Sequence, residues 1–214
     1  MCMRLTKIDE LTRGQHYHLS EDDTCYFFGE YTARKGYAFS NTNNLIHNFK
    51  KGVEKKGKAE WVYKESAIIN VANLINSISN IDELTFVPVP PSKCCSDPAY
   101  DSRLIDVLKQ CQKNKPNLQY IELIKQRVSV QASHSVEARP TPEEIAGNYI
   151  FDETLAVNLR KYIVIFDDVL TAGSHFKAMK TTIKLHLPQS IVIGVFIART
   201  AREAEWEDDL ADDF

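Results

Sequence analysis

The last third of the chain alternates apolar runs with a helical pattern, and this alternation constrains the fold most strongly. Residues 162–166 form an apolar run of strand length, residues 173–187 carry apolar side chains at helical spacing, and residues 191–198 form a second apolar run. Apolar strands separated by helices are typical of a parallel sheet that helices cover. The sequence therefore predicts an α/β fold with a Rossmann-like parallel sheet flanked by helices.

Upstream segments extend this pattern. Residues 84–91 form an apolar run that ends in prolines, as expected of a buried strand that leads into a loop. Other elements are predicted at residues 25–39 (aromatic strands joined by a turn), 45–51 (a helical turn), 66–79 and 102–112 (helices) and 118–124 (a strand). Residues 125–147 are polar without apolar periodicity, so we expect a long loop there, and loops of that length are usually functional.

Length and composition limit the class of protein. The 214 residues, 43% of them hydrophobic, can bury a substantial core in one domain. Five cysteines without regular spacing predict neither a disulfide framework nor a zinc site. The longest apolar runs are far shorter than a membrane helix, and the first residues lack the apolar block of a secretory signal. We therefore expect a cytoplasmic protein with no membrane partner.

The charge balance bears on nucleic acids as partners. The formal net charge is -3, whereas a dedicated nucleic-acid-binding domain is usually basic. Lysines cluster at residues 50–58, and acidic residues cluster at 203–213. Nucleic acid is not an expected partner, although the lysine cluster leaves a small basic face as an alternative.

A turn of small residues follows two adjacent acids after the apolar run at 162–166. Asp167 and Asp168 come first, and residues 171–174 (Thr-Ala-Gly-Ser) then open the next helix. Backbone N–H groups at such a turn, together with the positive end of the helix dipole, form a cradle for an anion such as phosphate. Gly173 permits a close approach of the backbone. The segment therefore predicts a phosphate site, the alternative being an ordinary helix start that Asp and Ser residues cap.

The acidic pair suggests what else the ligand contains. Carboxylates repel phosphate, but they accept hydrogen bonds from the hydroxyl groups of a ribose, and a magnesium ion would relieve the repulsion. A phosphorylated ribose with a bound Mg²⁺ accounts for both the acids and the cradle.

Residues 164–174, which read Val-Ile-Phe-Asp-Asp-Val-Leu-Thr-Ala-Gly-Ser, resemble the phosphoribosyl pyrophosphate signature of type I phosphoribosyltransferases. The likeness is closest to ComF-like members, although the zinc ribbon common in those proteins is missing. The resemblance implies a phosphoribosyltransferase-type core. It also implies that the acids Asp167 and Asp168 bind the ribose, and bind Mg²⁺ through water or ligand hydroxyls. The residues implied to bind the 5-phosphate are Thr171, Ala172, Gly173, Ser174 and His175.

Two departures from the family pattern affect these roles. His175 stands where a Ser or Thr usually closes the loop. Thr171 stands where 6-oxopurine salvage enzymes carry an acid, which disfavours hypoxanthine or guanine as the acceptor.

Two further segments are similar to ComF-like proteins. Residues 86–91 followed by residues 100–103 resemble a strand that leads into a pyrophosphate loop, and this implies that Ser92, Lys93 and Arg103 bind pyrophosphate. The stretch from Arg127 to residue 151 resembles the mobile catalytic loop of the family, and we expect a lid there that carries Arg127, His134 and Arg139. Lys93, Arg103 and Arg127 are the expected catalytic cations.

These observations lead to an expected organisation and activity. We expect an N-terminal aromatic hood at residues 1–62, a phosphoribosyltransferase-like core at residues 63–202 and an acidic tail at residues 203–214. The expected activity is that of a glycosyltransferase of the pentosyltransferase class, which takes phosphoribosyl pyrophosphate or a nucleoside monophosphate and could form a homodimer. The alternative is a non-catalytic module that senses such a ligand.

Overall fold

The computed structural model describes residues 3–130 and 140–201, and its strands form a main sheet of six strands and a separate sheet of two strands. The strands are β1 (Thr6–Lys7), β2 (Cys25–Tyr31), β3 (Leu84–Pro88), β4 (Gln119–Tyr120), β5 (Ile124–Gln126), β6 (Tyr149–Phe151), β7 (Tyr162–Leu170) and β8 (Ile191–Thr200). The main sheet has the order β1-β2-β8-β7-β3-β4, and all its neighbours are parallel except β1 and β2. The separate pair, β5 and β6, is antiparallel.

Helices flank the main sheet in two groups. The helices are α1 (Glu10–Arg13), α2 (Asn41–Phe49), α3 (Trp61–Asn76), α4 (Arg103–Asn114), α5 (Pro142–Gly147) and α6 (Ser174–His186), with short 3-10 turns at Val53–Lys55, Ile81–Glu83 and Glu153–Leu155. Helix α3 packs against both α2 and α4, and α5 packs against α6. The expected α/β fold, with a mainly parallel sheet flanked by helices, is confirmed.

Apolar spacing explains why each helix packs where it does. Phe176, Met179 and Ile183 lie on one side of α6 at helical spacing, and all three are buried. The rings of Phe176 and Phe196 meet edge to face with centroids 6.3 Å apart, which fixes α6 against β8.

The first part of the chain joins the main sheet. Strand β2 pairs with β8 along its length, and its residues Cys25, Phe27 and Phe28 are buried in the same core as β7. Strand β2, which falls within the hood expected at residues 1–62, is therefore part of the main sheet. The aromatic residues after Tyr31 form turns, and the second strand expected before residue 39 is absent from this described segment.

Two predicted elements are divided or extended. The strand expected at residues 118–124 is split, because β4 pairs with β3 whereas β5 pairs with β6. The strand expected to end at residue 166 continues to Leu170, because β8 still pairs with it beyond the point where β3 ends. Asp167 and Asp168 are therefore strand residues, and they lie beyond the end of β3.

None of the described helices combines the length and the apolar character that crossing a membrane requires. The acidic tail expected at residues 203–214 lies outside the described residues.

Candidate functional site

A cleft of about 540 Å³ lies at the carboxyl ends of β3 and β7. Asp167, Asp168, Thr171 and His175 line it from the β7 side, and Ser92 to Arg103 contribute to its opposite wall. Ligands of parallel α/β sheets generally bind at this edge, where the loops after the strands meet. The structure thus brings the predicted acids, Arg103, and Thr171 and His175 of the candidate phosphate loop to one cleft.

Asp168 is held by two cations. Its Oδ1 lies 2.9 Å from Nζ of Lys50, and its Oδ2 accepts a hydrogen bond of 2.8 Å from a terminal nitrogen of Arg103. Burial by itself would raise the pKa of Asp168, but Lys50 and Arg103 outweigh it and hold this pKa below its usual value. Asp168 is therefore a carboxylate with both oxygens already paired.

Asp167 has a different environment, although it is the next residue. Its carboxyl oxygen accepts a hydrogen bond of 2.7 Å from the backbone N–H of Asp168. Burial raises the pKa of Asp167, and the negative charge of Asp168 raises it further. The structure records no ion pair between Asp167 and any described cation. A hydrogen-bond donor or a cation supplied by a ligand would therefore stabilise the charged form of this carboxyl.

Arg103 belongs to a chain of charges that runs into the protein. Its second terminal nitrogen lies 2.7 Å from Asp101, whose Oδ2 also lies 2.7 Å from Nζ of Lys64. Lys64, only 2% exposed in its side chain, also donates a hydrogen bond of 2.6 Å to the carbonyl oxygen of Lys51. Sequence reasoning missed Lys50, Lys64 and Asp101 as members of this network.

The turn before α6 has the backbone geometry of an anion cradle. Gly173 has φ of +93°, in the left-handed region that favours glycine. In the hydrogen bonds recorded for residues 3–130 and 140–201, neither Ala172 nor Gly173 uses its backbone N–H as a donor. Ser174 and His175 begin α6, where the first N–H groups have no partner inside the helix. Four consecutive N–H groups are therefore placed to bind an anion.

His175 contributes its ring to the cleft wall. Its Nδ1 lies 3.2 Å from the hydroxyl oxygen of Tyr149 on β6. Desolvation by the surrounding walls lowers the pKa of His175, even though part of the ring remains open to the cleft. Tyr149 thus orients the ring of His175 at the wall of the cleft.

The other predicted site residues fall into three sets. Ser92 and Lys93 line the cleft, and the carbonyl oxygen of Ser92 accepts a hydrogen bond of 2.8 Å from the N–H of Val130. Arg127 is exposed and does not line the cleft, since its described contact is a backbone hydrogen bond to the carbonyl of Asn148. The expected lid residues His134 and Arg139 lie outside the described residues.

The acidic pair fits a magnesium ion only when a ligand supplies most of the oxygens. Within residues 3–130 and 140–201, no group of three His, Cys, Asp or Glu side chains is arranged to hold a metal. Asp168 forms ion pairs with two cations, whereas no ion pair of Asp167 is recorded among the described residues. Mg²⁺ commonly binds through one or two carboxylates and several phosphate oxygens, so Asp167 is the residue that would meet such an ion.

A scan of the chain against models of protein families gives no match, and a search of curated proteins gives none either.

Proposed function

We propose that this chain binds phosphoribosyl pyrophosphate in the cleft and transfers the 5-phosphoribosyl group to an acceptor, with release of pyrophosphate. The observation that supports it best is that Thr171 and His175, at the two ends of the turn whose N–H groups have no recorded partner among the described residues, line one cleft together with Asp167 and Arg103. A phosphate, a diol and a pyrophosphate are the three parts of a single ligand that these groups would recognise.

Arg103 has a further feature that favours an anionic ligand. Its Nε is buried and has no hydrogen-bond partner among the described residues. A buried N–H without a partner is costly, so a ligand oxygen that pairs with Nε after the guanidinium shifts toward the cleft would recover that cost. A pyrophosphate oxygen is a suitable acceptor because guanidinium groups bind phosphates with charge-assisted hydrogen bonds.

In the proposed reaction, the bond between C1 of the ribose and pyrophosphate breaks as the acceptor attacks C1. Positive charge develops on the sugar ring, and negative charge develops on the leaving group. Arg103 and Lys93 would stabilise the leaving group, while loop 171–175 and Asp167 would hold the sugar in position. Magnesium, bound with the pyrophosphate, would neutralise part of its charge. No covalent nucleophile on the protein is required.

A non-catalytic binding module is the second candidate, and one observation favours it. Both oxygens of Asp168 are paired with Lys50 and Arg103, so a ribose hydroxyl and these cations compete for one carboxylate. A protein that only senses the ligand could use this exchange of partners as its response.

Pyrophosphate release separates the two candidates. The chain is incubated with Mg²⁺, phosphoribosyl pyrophosphate and a panel of bases and amines, and released pyrophosphate is measured. A transferase releases pyrophosphate only when one particular acceptor is present. Saturable binding of phosphoribosyl pyrophosphate without release of pyrophosphate, whichever acceptor is added, would contradict the transferase hypothesis.

The double variant Asp167→Asn plus Asp168→Asn tests the ribose role in both candidates. We expect it to lose binding of phosphoribosyl pyrophosphate, because two charged acceptors become neutral amides, each of which keeps one acceptor oxygen and gains a donor that does not match the hydroxyls and Mg²⁺. Asp82→Asn is the matched control, since Asp82 precedes β3 at the opposite edge of the sheet. Equal binding by the double variant and the control would remove the assigned role of the acidic pair.

A further inference from the structure

A short N-terminal segment, residues 16–23, packs directly against the turn that precedes α6. We call this segment the strap. His16 is fully buried, and its Nδ1 hydrogen-bonds to the carbonyl oxygen of Thr171. The backbone N–H of His18 donates to the carbonyl oxygen of Ala172 at 3.0 Å. The strap therefore binds two successive carbonyl groups of the candidate phosphate loop.

The direction of these hydrogen bonds determines where the loop's donors point. In a trans peptide the C=O and N–H of one planar unit point in opposite directions. The strap holds the carbonyl of Thr171, so the N–H of Ala172 points away from the strap; by the same geometry, the strap's hold on Ala172 turns the N–H of Gly173 away. Both donors are thus oriented before any ligand binds.

The remaining strap contacts hold the segment in place. Leu19 lies so close to Gly173 that a Cβ added there would be 3.1 Å from its Cδ2. The buried carboxylate of Asp23 accepts hydrogen bonds from Lys177 at 2.7 Å and from Lys180 at 2.5 Å, both on α6. These contacts join the strap to both the turn and the first half of the helix that follows it.

We infer that His16 is a positioning residue for phosphate binding, acting through the carbonyl of Thr171 to orient the N–H of Ala172. This inference rests on the proposed function, because it assigns the oriented donors to the 5-phosphate of a phosphoribosyl ligand. A carbonyl oxygen can only accept, so Nδ1 of His16 must carry the proton. The ring therefore acts in the tautomer with hydrogen on Nδ1.

Two substitutions separate positioning from packing. His16→Leu keeps an apolar side chain in the buried position but removes the donor. His16→Asn places an amide N–H near the position of Nδ1, so it restores the donor with a smaller side chain. Ile75→Val, in the core of α3 and away from the strap, is the control for a modest general loss of stability.

The primary measurement is the Kd of ribose 5-phosphate by calorimetry, at a temperature where thermal unfolding shows each variant to be folded. In His16→Leu the N–H of Ala172 is no longer held toward the charged phosphate. We therefore expect the Kd of ribose 5-phosphate to rise roughly tenfold or more. His16→Asn should recover most of the affinity, and Ile75→Val should bind as wild type does. When turnover is present, His16→Leu should raise KM for phosphoribosyl pyrophosphate more than it lowers kcat, because the 5-phosphate is remote from the reacting bond.

The outcomes distinguish this inference from the proposed function. Wild-type protein that fails to bind ribose 5-phosphate or phosphoribosyl pyrophosphate overturns the proposed function and this inference with it. Wild-type binding with unchanged affinity in folded His16→Leu overturns the inference alone. Should His16→Leu not fold, Leu19→Ala loosens the strap from its other contact, and unchanged affinity in that folded variant likewise contradicts the positioning role.

Discussion

The two ends of the cleft hold their polar groups in different ways. At residues 171–175, neutral hydrogen bonds from the strap fix the backbone and leave N–H groups pointing outward. At the other end, Asp168 forms an ion pair with Arg103. Arg103 also pairs with Asp101, and Asp101 pairs with Lys64. If the proposed ligand binds here, one end is already organised before binding, whereas the other must exchange partners. A rigid phosphate site beside an adaptable charged site would hold the sugar while the pyrophosphate enters and leaves.

The largest effect should come from breaking the charged end. Arg103→Gln leaves Asp101 and Asp168 without a shared cation in a mostly buried position, so we expect the free energy of unfolding to fall by about 2–4 kcal/mol. Urea denaturation measures this change. Lys55→Gln breaks the exposed pair with Glu60 and is the control that should change little. Equal effects of the two substitutions would show that the network at Arg103 is not a stabilising feature.

Acid should weaken the attachment of the strap to α6. Burial alone would raise the pKa of Asp23, but the hydrogen bonds from Lys177 and Lys180 outweigh it and lower the pKa to about 2. Because the folded pKa lies below the ordinary value, this stability is fully present above about pH 4 and is lost as the pH falls toward 2.

The matching substitution is Asp23→Asn. It should lower the free energy of unfolding by about 1–2 kcal/mol at pH 7 and flatten the stability profile between pH 4 and pH 2. Denaturation at a series of pH values checks this, and a variant with the same acid profile as wild type would contradict the role given to Asp23.

Two glycine substitutions test whether ligand binding depends on the backbone conformation of the candidate phosphate loop. Gly173 and Gly57 both have positive φ, at +93° and +82°, but only Gly173 faces a close neighbour, Leu19. Either substitution to Ala should lower the free energy of unfolding by about 1–2 kcal/mol through backbone strain. Only Gly173→Ala should also weaken binding of ribose 5-phosphate in calorimetry. Loss of binding in Gly57→Ala as well would attribute the effect to stability instead of loop geometry.

The smallest expected effect is a gain in stability at Asp167. The raised pKa means that the charged form is disfavoured in the folded protein, so stability falls as the pH rises above the ordinary carboxyl range. Asp167→Asn should therefore raise the free energy of unfolding at pH 8 by on the order of 1 kcal/mol, with the gain fading toward pH 4. Its binding of phosphoribosyl pyrophosphate should weaken at the same time. A loss of stability at pH 8 would contradict this description of the pair.

The sequence was more informative about the sheet than about the site. The apolar runs at β3, β7 and β8 and the helical spacing of α6 predicted those elements, because burial on both faces leaves a clear pattern. The end of β7 was predicted four residues early, since charged residues at 167–168 look like the start of a loop when the pairing with β8 is unknown. His16 and Lys64 could not be identified as partners of Thr171 and Asp101, because contacts between distant segments depend on topology and leave no local pattern.

Binding of ribose 5-phosphate to ¹⁵N-labelled protein, followed by NMR, tests the central claim most directly. We expect saturable chemical-shift changes that are largest at the backbone N–H groups of residues 172–175, because these donors would bind the phosphate. Saturable binding that leaves these four amides unshifted, or no binding at millimolar ligand, would contradict it.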